Sequence, residues 1–429
     1  MNFIRLFLWM CELQNHNLIF DILNNMKLSQ ELTWRGFVNQ TTYDNLSALD
    51  GEPISFYWGV DPSSDSMTIG NFAAAMMVRH FIDHGHKAYL LVGGATGMIG
   101  DPDGKADERN LKTLDEIAKN KAGIAAQYKN IFAGKDFTIV DNYDWFKDMN
   151  YLDFLRKVGK HVPMSQMLGR EFIQSRLGNE GSGISYAEFS YSLIQGYDFV
   201  HLSREYGVTL QLCGADQWGN SITGVDLIRR MDGNIAHVYS TPLIINKTTG
   251  VKFGKSEGGA IWLDDKKTSV YKFYQFWLNV DDAGVIDYAK IYTLLNQQQI
   301  EDLAAKTAEN PALRLAQKTL AREVTTLVHG QERTESVERV TDVLFGKASF
   351  DSLQPSDLDE LAVEIPTVGL GKTVVDILTE SGVSSSNGES RRLISGGAIS
   401  INGIKINADQ TLNSIALIKK GKNNFVLIR

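Results

Sequence analysis

Ile54-Ser55-Phe56-Tyr57-Trp58-Gly59-Val60 is a run of β-branched and aromatic residues, and Thr68-Ile69-Gly70-Asn71 soon after it opens an apolar helical pattern. The first reads as a strand and the second as a helix start, joined by a loop. Working outward, strand-like runs recur at Lys87 to Gly93, Phe137 to Val140, Thr209 to Cys213 and Val238 to Ile245, with helical patterns between them. This alternation predicts an α/β fold with a mostly parallel sheet, helices on both faces, and ligands at the carboxyl ends of the strands. Polar, glycine-containing segments fall at those ends. Gly93 to Asp101 follows the second strand, Gly214 to Asn220 the fourth, and Lys252-Phe253-Gly254-Lys255-Ser256 the last.

Between Tyr143 and Gly183 the pattern is helical and mixed in charge, interrupted at Pro163 and Met164, which predicts an insertion within the sheet domain. From Ser269 to about Phe345 the chain is helix-rich. Asp351 to Pro366 contains two prolines and many acidic residues and reads as a linker.

With 43% hydrophobic and 22% charged residues, a chain of 429 residues has an ordinary globular composition and room for two or three cores. Its apolar runs fall short of the roughly 20 residues a transmembrane helix needs. Phe3 to Met10 has neither a basic cluster before it nor a small-residue cleavage site after it, so no signal peptide and no membrane partner are expected. Two cysteines, Cys11 and Cys213, cannot build a disulfide framework and fit a reducing, cytoplasmic setting. A net charge of −8 argues against phosphate binding over the whole surface. The segment after Pro366 differs, holding eight basic and four acidic residues, so a basic end on an acidic body is where RNA would be met.

Several constellations could carry chemistry. Lys252 and Lys255 flank Phe253-Gly254, and the glycine lets a short loop fold closely while two ammonium groups converge. Two lysines on one phosphate chain would stabilise charge growing on a leaving pyrophosphate. Taken alone, the pattern is more often a solvated turn. The glycines of Gly93 to Asp101 do not follow the G-x-G-x-x-G spacing, so a nicotinamide site is not indicated. On the helix predicted over Tyr186 to Phe199, Tyr191, Gln195 and Asp198 share one face among Phe189, Leu193 and Ile194. Polar groups in such surroundings need partners, supplied by neighbouring protein or by a ligand. His80, His84 and His86 have a spacing that could bind zinc, but no supporting catalytic group is evident; an exposed helix end and no metal are expected.

Together, Thr68-Ile69-Gly70-Asn71, Cys213 to Asn220 and Lys252 to Ser256 resemble the nucleotide-site signatures of class I aminoacyl-tRNA synthetases, specifically the bacterial-type tyrosyl-tRNA synthetases. The resemblance runs from about Leu28 to Arg429. It implies a Rossmann-like catalytic domain at 28–248 with a dimerisation insertion at about 143–183. An α-helical, anticodon-side domain would follow at 249–348, a linker at 349–365, and a small α+β RNA-binding domain at 366–429. Met26-Lys27-Leu28-Ser29 is similar to the family's usual opening, so residues 1–27 are expected to be an N-terminal extension, added or arising from an upstream mis-start.

The same resemblance implies a tyrosine–tRNA ligase acting on L-tyrosine, ATP with Mg2+, and tRNA(Tyr), as a homodimer, with no DNA partner and no protein-bound metal. Carried over residue by residue, Tyr57 and Asp198 would bind the phenol, and Tyr191, Gln195 and Asp101 the ammonium. Gln217 and Asp61 would lie near the reacting carboxylate, and Gly214 and Asp216 at the ribose. Gly70 and Asn71 belong to the ATP site. Lys252, Lys255, Lys105, Arg109, Ser63 and Thr68 would act on the phosphates. Glu389-Ser390-Arg391-Arg392-Leu393-Ile394 and the following Asn402-Gly403 turn resemble an RNA-binding domain shared with a ribosomal protein, with Arg391 and Arg392 toward phosphate. Two positions depart from the pattern. Thr68 stands where most members have histidine, and Trp58 where a smaller residue would touch the ribose. They favour one rival, a non-catalytic RNA-binding descendant; a second, an adenylate-forming enzyme that does not use tRNA, is opposed by the basic C-terminal segment.

Overall fold

The computed structural model describes residues 26–102, 111–169, 171–177, 183–256 and 259–429. Contacts divide the chain into two compact units, one comprising the described residues up to Ala260 with Asp287–Tyr292, the other Ile261–Ile286 with Thr293–Arg429.

The first unit is built on a six-stranded sheet of β1 (Gln40–Thr41), β2 (Ser55–Val60), β3 (Lys87–Val92), β4 (Phe137–Asp141), β5 (Leu210–Gly214) and β6 (His237–Thr241), in the order β1-β6-β5-β2-β3-β4. Five strands run parallel; only β1, a two-residue edge that the sequence reading did not predict, pairs antiparallel with β6. Pro242 follows Thr241, so the last strand stops there rather than at Ile245; proline has no N–H for a ladder. The chain order reverses direction at β2, between β3 and β5, which opens the crevice where such sheets bind ligands. Helices α1 (Ile69–Asp83), α2 (Leu114–Ile131), α3 (Tyr186–Tyr206) and α4 (Trp218–Asp232) supply the site and its supports. Tyr57, Tyr89, Leu193, Phe199, Val200 and Leu227 form part of one apolar core beneath it. Gly196 and Gly224 let α3 and α4 approach closely: a Cβ on Gly224 would stand 2.9 Å from the Phe199 ring.

His80 and His86 are buried, correcting the expectation of an exposed helix end. Glu31, on the helix Leu28–Arg35, places Oε1 3.3 Å from His80 Nδ1 and Oε2 3.6 Å from His84 Nε2, while His86 Nε2 lies 3.2 Å from the Leu49 carbonyl. Desolvation lowers the pKa of His80 and His86, as expected for imidazoles built into a fold. Among the described residues no group of three or more His, Cys, Asp or Glu is arranged to hold a metal ion. No described helix is long and apolar enough to cross a membrane.

The second unit combines helices, including Val270–Leu278, Gln297–Glu309, Leu315–His329 and Gln331–Leu344, with a five-stranded sheet near the C-terminus. Residues 349–365, expected as a linker, contain the helix Pro355–Glu364. Its Leu361 is buried with Val340, Val343, Leu344, Leu417 and Leu427, and its buried Asp357 accepts two hydrogen bonds from Arg339 at 2.8 Å. Proline at the first turn suits a helix start as well as a break. Arg391 and Arg392 are exposed on the helix Asn387–Ser395, whose Ser390 and Ile394 face inward. Asn402 and Gly403, with φ of 48° and 85°, make the tight turn between Ile399–Ile401 and Ile404–Lys405.

Candidate functional site

A cavity of about 330 Å³ lies at the carboxyl ends of β2, β5 and β6. Its lining includes Tyr57, Asp61, Ser63, Thr68, Gly70, Asn71, Asp101, Tyr191, Gln195, Asp198, Gly214, Asp216, Gln217 and Lys252, so residues widely separated in sequence meet in one place. Lys105 and Arg109 lie outside the described residues, as do residues 1–25. Lys255 is placed by its backbone, in the strand Lys255–Ser256.

At the inner end, β2 points Tyr57 toward α3, where its ring packs on Phe199 at 5.2 Å. The Tyr57 hydroxyl is buried and has no hydrogen-bond partner among the described residues. Burial, reinforced by the charge of Asp198, raises its pKa well above the usual phenol value. Asp198, 1% exposed on α3, accepts from Asn142 Nδ2 at 3.1 Å and Trp145 Nε1 at 2.9 Å. Burial pushes its carboxyl well above the ordinary carboxylate range; the two N–H donors oppose that shift, and the charges of Asp61 and Asp141 add to it.

Asn142 also donates to Thr96 Oγ1 at 3.0 Å, Thr96 donates to Asp61 Oδ1 at 2.6 Å, and the Tyr191 hydroxyl donates to Asp61 Oδ2 at 2.7 Å. A continuous chain of hydrogen bonds thus joins Asp198 to Tyr191. Gly93 is what allows it, since a Cβ there would sit 2.2 Å from Asp61 Oδ1 and 2.3 Å from Thr96 Oγ1. Gly94 likewise makes room for the Asp141 carboxylate. The glycines of this turn therefore serve the packing of neighbouring side chains. On the opposite wall Asp101 accepts from Gln217 Nε2 at 2.5 Å and Asn220 Nδ2 at 3.4 Å. Asn142, Trp145, Thr96 and Asn220 were not anticipated from sequence. The signal that could have found the first two is position: they follow β4, at a strand's carboxyl end.

The outer end is more exposed. Asn71 Oδ1 accepts from both the backbone N–H and the hydroxyl of Thr68 at 3.0 Å, one half of a capping box at the start of α1. Trp58 is 3% exposed and its ring tilts against Tyr128 of α2 at 5.5 Å, so the indole is absorbed into the core while one part lines the cavity. The lysine loop is a hairpin, with Phe253 N–H donating to Ile244 O and Asn246 N–H to Val251 O. Phe253 anchors it by stacking on Tyr288 at 4.3 Å. Gly254, at φ 93°, brings the loop against the first motif, and a Cβ there would meet Ile69 Cγ1 at 2.7 Å. The Lys252 ammonium is 3.8 Å from Asp216 Oδ2, with both side chains about half exposed. Cys213 is buried beside this end, its thiol pushed up to about 12 by burial, which leaves it a packing residue.

This arrangement joins a small, buried, polar-tipped slot to an open end carrying a half-exposed lysine and a helix N-terminus. It can hold an aromatic, hydroxyl-bearing ligand inward and a phosphate chain outward. The family described as tRNA synthetases class I (W and Y) matches residues 49–346, and a Tyrosine--tRNA ligase SYY-like C-terminal domain matches residues 357–429. The Tyrosine--tRNA ligase of Levilactobacillus brevis is 42% identical over 420 residues, covering 94% of this chain and 99% of its own. That of Bacteroides fragilis (strain YCH46) is 42% identical over 428 residues with the same coverage. Among solved structures, the C-terminally truncated mitochondrial tyrosyl-tRNA synthetase of Aspergillus nidulans superposes with a TM-score of 0.68 at 27% identity, covering 75% of this chain and 95% of that one. With both domain matches in chain order and near full-length similarity to relatives of one kind, the chain belongs to the class I tRNA synthetases and, within them, to the tyrosine–tRNA ligases of bacterial type.

Proposed function

We propose that the cavity binds L-tyrosine with its phenol between Tyr57 and Asp198, and that the chain joins this tyrosine first to AMP and then to the 3′ end of tRNA(Tyr). The observation that carries the reading is the Tyr57 hydroxyl, buried beside a buried carboxylate and without a hydrogen-bond partner among the described residues. Such a group costs free energy unless a ligand completes it. A phenol can donate to Asp198 and accept from Tyr57; phenylalanine would leave the Tyr57 hydroxyl unsatisfied and give the buried carboxylate no further donor. Tyr191, Gln195 and Asp101 would surround the ammonium, with Gln217 and Asp61 toward the carboxylate. Asp61 and Asp101 are held by protein donors and would be exact-fit acceptors only after small rearrangement of those bonds.

In the first step the tyrosine carboxylate attacks the α-phosphorus of ATP. A carboxylate–phosphorus bond forms, the bond to the bridging oxygen breaks, and pyrophosphate leaves with its electron pair. The carboxylate is already ionised, so no general base is required, and catalysis rests on positioning and charge stabilisation. Asp216 and Gly214 would meet the ribose, with Gly70 and Asn71 along the nucleotide. Ser63, Thr68, Lys252 and Lys255, joined by Lys105 and Arg109, would meet the phosphates, with Mg2+ arriving as part of the ATP substrate. In the second step a terminal ribose hydroxyl of tRNA attacks the activated carbonyl and AMP departs.

The exposed Arg391 and Arg392 would contact RNA phosphate. Apolar side chains exposed in the insertion, among them Tyr151, Leu152, Met164 and Leu177, support homodimerisation there. A cytoplasmic location fits the chemistry and the buried free thiol. Tyrosine-dependent ATP–pyrophosphate exchange should occur and phenylalanine should support far less of it; absence of exchange would favour a non-catalytic descendant. Arg391→Ala with Arg392→Ala should spare exchange, weaken tRNA charging and flatten its salt dependence. Exchange without any charging of tRNA(Tyr) would favour an adenylate-forming enzyme of another kind.

A further inference from the structure

The two N–H donors already on Asp198 fix the orientation in which its carboxylate meets a phenol. Asn142 is completely buried and bonded on both its amide atoms, to Ala95 N–H through Oδ1 and to Thr96 and Asp198 through Nδ2. Trp145 is less enclosed. It sits on the short helix Tyr143–Phe146, is only partly buried, and its outer side forms a wall of a second cavity of about 690 Å³ shared with Lys121, Asp141, Asp144 and Tyr206. An indole in that position needs something to fix its plane if Nε1 is to stay 2.9 Å from Asp198.

The structure supplies one ring for that purpose. His201 stacks on Trp145 with centroids 4.4 Å apart and planes within 18°. His201 stands on α3 three residues after Asp198, so the acceptor and the clamp are carried by adjacent turns of one helix, on the same side of it. We infer that His201 is a positioning residue for tyrosine recognition, acting on the phenol through Trp145 and Asp198 without touching the substrate. This rests on the assignment of Asp198 to the phenol.

The test uses the full-length protein and compares tyrosine- and phenylalanine-dependent pyrophosphate exchange. His201→Ala should raise KM for tyrosine about three- to tenfold, the scale of a weakened hydrogen bond to a charged group, with kcat nearly unchanged. The preference for tyrosine over phenylalanine should fall by the same factor. His201→Phe keeps a stacking ring and should recover most of both; His201→Leu fills the volume without a ring and should behave like His201→Ala, which separates stacking from packing should the alanine variant melt early. In a Trp145→Phe background, which lacks the indole N–H, His201→Ala should add almost nothing. Equal effects in both backgrounds, a phenylalanine variant as poor as alanine, or a fall in kcat with KM intact would overturn the inference. Asp198→Asn serves as the control on its premise. If that substitution leaves the tyrosine preference intact, the phenol assignment fails; if it abolishes the preference while His201→Ala is silent, the positioning role alone fails.

Discussion

The two ends of the cavity solve opposite problems. At the inner end Asp198, Asn142, Thr96, Asp61 and Tyr191 are tied by hydrogen bonds of 2.6–3.1 Å and are largely shut off from water. At the outer end Lys252 is about half exposed, with one loose ion pair to Asp216 at 3.8 Å. A preorganised, desolvated end discriminates, because a wrong side chain leaves buried groups unpaired. A solvated end with a long cationic side chain has little to say about identity. It can follow charge that moves during the reaction. Specificity and rate should therefore separate along the length of one cavity, and substitutions can be chosen to break that separation.

The largest effect is expected at the open end. Lys252→Ala should lower kcat for adenylation by about 10²- to 10³-fold, the cost of removing one charge-stabilising donor from a transition state. KM for tyrosine should barely move, since the inner end is untouched. Pre-steady-state adenylate formation measures both, and a matching rise in tyrosine KM would mean the two ends are coupled. Next in size are changes at the inner end. Asp198→Ala should cost on the order of 100-fold in kcat/KM for tyrosine, by orphaning the Asn142 and Trp145 donors as well as the phenol. Tyr57→Phe should cost less, about tenfold, and should narrow the gap between tyrosine and phenylalanine. Unchanged discrimination in Tyr57→Phe would remove that hydroxyl from the recognition of substrate.

The ends also differed in how far the sequence disclosed them. The five parallel strands and the outer motifs were legible because each depends on local spacing: a strand, its turn, and a helix start or hairpin directly after it. The lysine loop needed only Gly254 and its flanking lysines to be noticed. The inner end is assembled across the sheet. Asn142 and Trp145 reach Asp198 over 56 and 53 residues, and their place after β4 marks them as near the site without naming Asp198 as their partner. The histidine cluster was misjudged for the same reason, since Glu31, which makes burial of His80 tolerable, comes from a separate helix. Residues 349–365 carried composition suited to a linker, while the contacts that fold them, from Leu417, Leu427 and Arg339, lie far along the chain.

A smaller effect should come from protons. In the empty cavity burial holds the Asp198 carboxyl above its ordinary range. A bound phenol donates to the ionised form and must lower that value. The free protein thus binds more protons at this site than the complex does, so tyrosine affinity should weaken as pH falls through the free-state value and be level above it. The loss should be several-fold over the first pH unit below that value, with a limit of about tenfold per unit. Calorimetric titration of tyrosine across pH reads the slope directly. Asp198→Asn should flatten it, and a slope that survives the substitution belongs to another group.

The smallest effect, and the one that most sharpens the contrast, concerns Thr68. Were it merely a weaker phosphate donor than histidine, Thr68→His would speed adenylation. The geometry argues otherwise. Thr68 gives both its backbone N–H and its hydroxyl to Asn71 Oδ1, so the first and last residues of the motif form a closed pair at the start of α1. Histidine would have to replace the hydroxyl's bond with a ring N–H on a longer side chain, and the imidazole would have to find space beside a lysine loop already pressed against Ile69 by Gly254. Loss of a bond at a helix N-terminus costs about 1 kcal/mol. We expect Thr68→His to lower the melting temperature by a few degrees, about 2–4 °C per kcal/mol for a domain of this size. The adenylation rate at saturating tyrosine and ATP should stay within about threefold of the parent or fall below it, because the added cation meets surroundings shaped for a hydroxyl pair. A gain of about tenfold would instead assign the open end a missing charge, for electrostatic stabilisation of that size is what one further donor supplies.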